Sequence, residues 1–221
     1  MKVAVVQFPG SNCDKDTLRV LSSIPRLNAA LIWHNEFRDE SFDAAILPGG
    51  FSFGDHLRAG AIAAHSSAMQ TIRKMANDGK PILGICNCFQ ILIEAGLLPG
   101  ALLRNASLKF VCKWANLQVE TTETAFTCNF EKNAKIRMPI AHNEGRYFAD
   151  DDSLLALRKD KQIVLRYIDE NPTGTIDNIV AVSNAQANVV GMMPHPERAS
   201  SSILGGSDGL KVFESMMEWA K

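Results

Sequence analysis

A chain of 221 residues is long enough to bury one sizeable core and suits a single domain spanning residues 1–221. Its 23 Lys and Arg balance 24 Asp and Glu for a formal net charge of -1, which removes any general electrostatic case for nucleic acid or an anionic membrane surface. No apolar run approaches the roughly 18 residues of a membrane span, and the start, Met1-Lys-Val-Ala-Val-Val-Gln-Phe8, reads as a first strand rather than a signal peptide.

Lys2 to Phe8 predicts a strand, closed by the turn cluster Pro9-Gly10-Ser11-Asn12. Asp14 or Asp16 is placed to cap a helix with Leu18, Val20 and Leu21 on its apolar side. Ala29 to Trp33 and Phe42 to Leu47 predict two further strands, the second stopped by Pro48-Gly49-Gly50. Ala59 to Ala64 and Ser66 to Asn77 have helical spacing, and Gly79-Lys80-Pro81 leads into a short apolar strand, Ile82 to Ile85. Strands alternating with helices predict an α/β fold with an open, mainly parallel sheet between flanking helices, a three-layer, flavodoxin-like build. In such a sheet ligands bind at the carboxyl ends of the strands.

The pattern changes after about Gly100. Ala101 to Cys112, Leu117 to Thr122, Lys135 to Ala141, Ile163 to Ile168 and Ile179 to Val182 are short strand-like runs without long helices between them. They predict an antiparallel extension, with Asp150-Asp151-Asp152 as a solvated turn carrying a helix cap. Val189 to Met193 is a further buried strand, ending at Pro194-His195-Pro196-Glu197-Arg198, and a helix from about Gly209 to Ala220 closes the chain.

The chemistry concentrates at Cys86. It stands where the strand Ile82 to Ile85 ends and an apolar-periodic helix begins, so its sulfur is lifted above the sheet edge beside free helical N–H groups. A cysteine there is either a nucleophile at an elbow, as serine is in other hydrolases, or a buried, inert thiol. A nucleophile needs a base. His195 also ends an apolar strand, is held between two prolines, and has Glu197 two residues on, on the same side at strand spacing. A carboxylate so placed orients an imidazole and stabilises its protonated form. Alone, His195 reads equally as a loop histidine, but the three residues together favour an acyl-transfer site. The N–H groups of Asn87 and Gly50 are candidate oxyanion donors, with a plain tight strand exit as the other reading of Gly49-Gly50.

Gly84-Ile-Cys-Asn-Cys-Phe-Gln90, Leu47-Pro-Gly-Gly-Phe-Ser-Phe-Gly-Asp55 and Met193-Pro-His-Pro-Glu197 together resemble the class I (triad) glutamine amidotransferases. Phe51 to Ala63, Ile140 to Tyr147, Asn171 to Gly174 and Gly191 to Arg198 narrow the resemblance to the glutaminase subunits of phosphoribosylformylglycinamidine synthase, nearly end to end. The resemblance implies Cys86 as nucleophile, His195 as general base and acid, Glu197 as orienting carboxylate, Gly50 and Asn87 as oxyanion donors, and Gln90, Gly49 and Phe51 around the substrate glutamine. It implies ammonia release for purine biosynthesis, with a separate synthetase subunit (PurL) and a small bridging subunit (PurS) as partners. ATP and Mg belong to the synthetase; no cofactor or metal is expected in this chain.

One departure stands out: Cys88 occupies a position where that family usually has glycine, so some relaxation of the elbow is expected. Cys88 reads either as a tolerated small residue or as a second thiol able to modulate Cys86. A Cys-x-Cys metal pair lacks further ligands nearby in the sequence. His142, Glu144 and Arg146 alternate along a predicted strand, which the resemblance places near the site mouth or a partner surface. His34, His56 and His65 read as structural or surface residues. Cys13, Cys112 and Cys128 read as core or surface thiols with no matching base. An odd cysteine count without a secretion signal predicts reduced thiols and a cytoplasmic protein. The competing functions are a cysteine hydrolase or peptidase of related fold, and a non-catalytic binding subunit.

Overall fold

A computed structural model describes residues 1–38, 41–56 and 58–220. Leu57, inside the Phe51 to Ala63 motif, lies outside the described residues. The first half alternates as the pattern predicts: β1 (Lys2–Gln7), α1 (Asp14–Ser23), β2 (Asn28–Trp33), β3 (Ala44–Leu47), α2 (Ala61–Ala64), α3 (Ser67–Asn77), β4 (Ile82–Ile85) and α4 (Asn87–Glu94). The second half holds β5 (Ala101–Leu103), β6 (Val111–Val119), β7 (Lys135–His142), β8 (Arg146–Phe148), α5 (Asp151–Lys159), β9 (Ile163–Tyr167), β10 (Ile179–Ser183), β11 (Val189–Met192) and α6 (Leu210–Trp219).

Nine strands form one sheet in the order β2-β1-β3-β4-β11-β10-β9-β6-β7. From β2 to β11 neighbours run parallel, and from β11 to β7 they run antiparallel. The extension therefore grows directly on the parallel core rather than standing apart from it. Strand β4 is central and buried along its whole length, which is why it is continuously apolar rather than alternating. In α3 the buried Ala68, Met69, Ile72, Met75 and Ala76 recur at helical spacing and form one face. Among the described residues no helix is long and apolar enough to cross a membrane.

Four local expectations change. Neither Asp14 nor Asp16 caps α1: the N-cap position is Cys13, and the Asp14 carboxylate instead accepts from the Gln7 amide. The run Ala101 to Cys112 is not one strand, because a turn at Asn105 to Leu108 divides β5 from β6. That turn is held by Asn105, fully buried, whose side chain reaches Lys109, His142 and Gly145. The acidic triplet does carry a cap, Asp150 accepting from the Ser153 N–H, but it opens the nine-residue helix α5. Finally, His142, Glu144 and Arg146 do not share a strand; β7 ends at His142, the chain bends, and β8 starts at Arg146, paired with Leu103.

Candidate active site

The corner between β4 and α4 is a strained elbow. Cys86 takes φ 52° and ψ -110°, a region that costs a non-glycine residue about 1–3 kcal/mol. The surroundings hold it there. The Cys86 N–H donates to the Met192 carbonyl at 2.7 Å, and the whole of β4 is locked in parallel register between β3 and β11. Gly84 lets α4 lie close on β4, since a Cβ there would fall 2.5 Å from Leu92 and 2.7 Å from the Cys88 oxygen. The expected crowding is thus relieved on the strand side. Cys88 itself points to the other side, where its thiol meets the Pro48 carbonyl at 2.9 Å.

The segment after β11 brings His195 to the same edge. Its N–H donates at 2.9 Å to the Pro139 carbonyl of β7, so the last strand of the extension reaches back to anchor it. The His195 Nδ1–H donates to Glu197 Oε1 at 2.6 Å, with both side chains buried. His195 caps a 3-10 turn, Pro196–Arg198, that carries Glu197, so the two do not meet at the spacing of a strand as expected. The other ring nitrogen, Nε2, is buried without a hydrogen-bond partner. Burial opposes a charge on His195, but Glu197 and Cys86 outweigh it and hold the pKa well above the usual histidine value.

Gly49 packs between the His195 and Cys86 side chains. A Cβ at this residue would stand 2.9 Å from His195 Cε1 and 3.4 Å from both Cys86 Cβ and Cys13 Sγ. A glycine is needed there to leave the imidazole its place. Gly50 pairs with Ser11 in an isolated bridge whose bonds run from Phe51 N–H to Gly10 O and from Asn12 N–H to Gly49 O. That geometry turns the Gly50 N–H away from the bridge, while Asn87, first residue of α4, has an N–H with no carbonyl of its own helix to meet.

A cavity of about 280 Å³ opens above Cys86, lined by Gly50, Phe51, Asn87 and Gln90 among others. Gln90 is held by donating to the Glu144 carbonyl and accepting from the Asn87 amide. Asp55, Glu144 and Arg104 bring both signs of charge to the same cavity. Burial and the neighbouring Glu144 push the Asp55 carboxyl up, against a hydrogen bond from Asn87. His142 also lines it, nearly wholly buried with both ring nitrogens unpartnered. Burial and the nearby His195 push its pKa down to about 3, so it is neutral. A larger cavity, about 610 Å³, lies at the opposite end of β4 around Pro81 and Met1, and among the described residues its lining includes no cysteine, serine or histidine.

Cys13 was expected to lack a base; instead its sulfur lies 3.9 Å from His195 Nδ1 and accepts from Arg198 at 3.2 Å. The clue was its place just after β1, on the carboxyl edge of the sheet. Cys13, His195 and Glu197 offer ligand atoms all within 4.8 Å of one another. They are engaged as a hydrogen-bonded set, with Nδ1 on the carboxylate and the Arg198 cation on the sulfur, and burial pushes the Cys13 thiol up. His34 is buried and stacks on Phe8, whereas His56 and His65 are exposed, as expected of structural and surface residues. Cys112 is exposed, on β6 opposite Ala141, and Cys128 donates to the Ser215 carbonyl.

Comparison with known proteins bears on the family and the fold. Residues 1–220 match the model of the CobB/CobQ-like glutamine amidotransferase domain. The chain is 51% identical to the phosphoribosylformylglycinamidine synthase subunit PurQ of Methanosarcina acetivorans, over 99% of this chain and 98% of that one. It is 50% identical, over the same shares, to the subunit of that name from Methanosarcina barkeri. Among solved structures, a chain of PurLQS from Thermotoga maritima superposes with a TM-score of 0.91 at 47% identity, covering 100% of this chain and 99% of that one. The glutaminase domain of Trypanosoma brucei CTPS, with bound acivicin, shares the fold at a TM-score of 0.65 and 15% identity, over 100% of this chain and 93% of that one. The chain belongs to the CobB/CobQ-like glutamine amidotransferases, in the branch of the PurQ proteins.

Proposed function

We propose that the chain is the glutaminase subunit of a phosphoribosylformylglycinamidine synthase, with Cys86, His195 and Glu197 as its catalytic residues. The observation that carries this is the strained elbow cysteine at the floor of a two-signed cavity, beside a buried His195–Glu197 pair, in a chain 51% identical to a PurQ subunit. A zwitterionic amino acid suits that cavity: Arg104 complements its carboxylate, and Asp55 and Glu144 complement its ammonium group. Gln90, Phe51 and the glycines of the Pro48 turn would hold its side chain.

In this reading the Cys86 thiolate attacks the side-chain amide carbon of glutamine. The developing oxyanion is met by the N–H groups of Gly50 and Asn87, the kind of preorganised donor that contributes most to acyl transfer. His195 gives its proton to the departing ammonia, leaving a glutamyl thioester. It then takes a proton from water, which attacks the thioester and releases glutamate. Glu197 fixes the tautomer and stabilises the imidazolium. None of these steps calls on a cofactor; ATP and Mg would act in the synthetase subunit (PurL), reached with the small subunit (PurS), where the ammonia converts formylglycinamide ribonucleotide to formylglycinamidine ribonucleotide. Five cysteines without a disulfide accord with a cytoplasmic site of action.

The test is glutamate release from glutamine, by the chain alone and then with the synthetase subunits, ATP and formylglycinamide ribonucleotide. Release is expected at least in the full mixture, and Cys86→Ser should lower it by about 10⁴-fold or more. No release in either condition would leave the competing reading, a non-catalytic binding subunit. Undiminished release by Cys86→Ser would remove the nucleophile assignment.

A further inference from the structure

Cys88 is fully buried two residues past the elbow, and it belongs to neither the nucleophile nor the base. Its Sγ–H donates to the Pro48 carbonyl at 2.9 Å, a bond spanning 40 residues that joins α4 to the exit of β3. Burial holds the thiol protonated by pushing its pKa well up, which is the state a donor requires. A second tie runs alongside: the Ser52 N–H donates to Asn87 Oδ1 at 2.9 Å. The Ser52 hydroxyl is buried beside this tie without a hydrogen-bond partner. On the strand side, the Cys88 backbone rests on Gly84. The first turn of α4 is therefore set down on β4 by a glycine and tied to the Pro48–Ser52 loop by a thiol.

That tie joins the two segments carrying the candidate oxyanion donors. Gly50 lies on the loop and Asn87 on the helix, so their separation depends on how loop and helix are held together. Such donors act at about 2.7–3.1 Å from the oxyanion, and a shift of a few tenths of an ångström weakens them. We propose that Cys88 is a positioning residue, whose thiol-to-carbonyl bond with Pro48 sets the spacing of the Gly50 and Asn87 N–H groups for acyl transfer. The inference rests on the Cys86 and oxyanion assignments above.

The experiment compares the full chain with Cys88→Ala and Cys88→Ser, in the synthetase mixture, by kcat and KM for glutamine. In parallel it follows alkylation of Cys86 by iodoacetamide, mapped by peptide mass. Alkylation displaces iodide and forms a thioether, so it needs the nucleophile but no oxyanion donor. Cys88→Ala is expected to lower kcat about tenfold, short of the loss on deleting a donor outright, with KM within about twofold and the alkylation rate unchanged. Cys88→Ser, which restores a donor, should recover most of kcat. Parental turnover in Cys88→Ala would overturn the proposal. So would equal losses in the alanine and serine variants, which would make the sulfur a space-filler, or alkylation falling in step with kcat, which would place its effect on Cys86. Cys88→Val keeps the bulk without the donor and supplies the same comparison should the alanine variant not fold. Failure of the underlying reading looks different: Cys86→Ser would keep releasing glutamate, or Cys86 would resist alkylation in the parent.

Discussion

At the residue scale the site is governed by where charge can be tolerated. His195 is fully enclosed, and burial alone would keep it neutral; Glu197, against its Nδ1, reverses that outcome. With its folded pKa raised above the ordinary value of 6.5, His195 adds stability that is complete below about pH 6.5 and is lost as pH rises through the folded pKa. Glu197→Gln removes the carboxylate and leaves burial to act. Its melting temperature should therefore fall furthest below the parent's at pH 6 and below, with the gap narrowing as the buffer becomes alkaline. A gap independent of pH between 6 and 9.5 would show that the imidazolium–carboxylate pair adds nothing. Turnover of the same variant should drop about 10²- to 10⁴-fold, since the imidazole loses its fixed tautomer.

At the element scale the elbow works because two glycines permit close approach from opposite sides. Gly84 lets α4 dock on β4, and Gly49 leaves room for the imidazole. Gly84→Ala puts a methyl group 2.7 Å from a backbone oxygen, which no rotamer change relieves. It should cost about 3 kcal/mol in chemical denaturation, the upper part of the range for overpacking, and should tilt α4 away from the sheet. A loss under about 0.5 kcal/mol would mean that α4 is free to slide, and that its docking does not hold Cys86 in its strained conformation. The residues flanking Cys86 were legible in the sequence because a strand-to-helix corner is local. The partnership of His195 and Glu197 was legible too, though not through strand alternation: His195 is the cap of the 3-10 turn that carries Glu197, and their hydrogen bond closes the pair.

At the scale of the whole molecule, one sheet carries two kinds of pairing. The parallel strands β3, β4 and β11 are buried throughout, as is β1 from Val3 to Val6, and they hold the elbow, whereas β2 and β7 are edges. Hydrogen exchange should follow this division, slowest at Val3–Val6, Ala44–Leu47, Ile82–Ile85 and Val189–Met192, and faster by orders of magnitude in the loop from Phe51 to His56 and in β2. Equal protection in β2 and β4 would mean that the sheet opens only as a unit.

The alternation of strands and helices, the elbow at Cys86 and the partnership of His195 with Glu197 followed from the chain itself. Each depends on periodicity, on a turn, or on neighbours two residues apart, and short-range order is written in short-range sequence. The structure alone decided what lies across from them. It put Cys13 beside His195, carried the Pro139 carbonyl of β7 back to hold the His195 N–H, and turned Cys88 toward Pro48. These contacts link positions between 40 and 182 residues apart, and no local pattern encodes them. They exist because a parallel sheet gathers the carboxyl ends of distant strands at one edge, and because a buried thiol or carbonyl must find its partner among whatever that edge brings within reach.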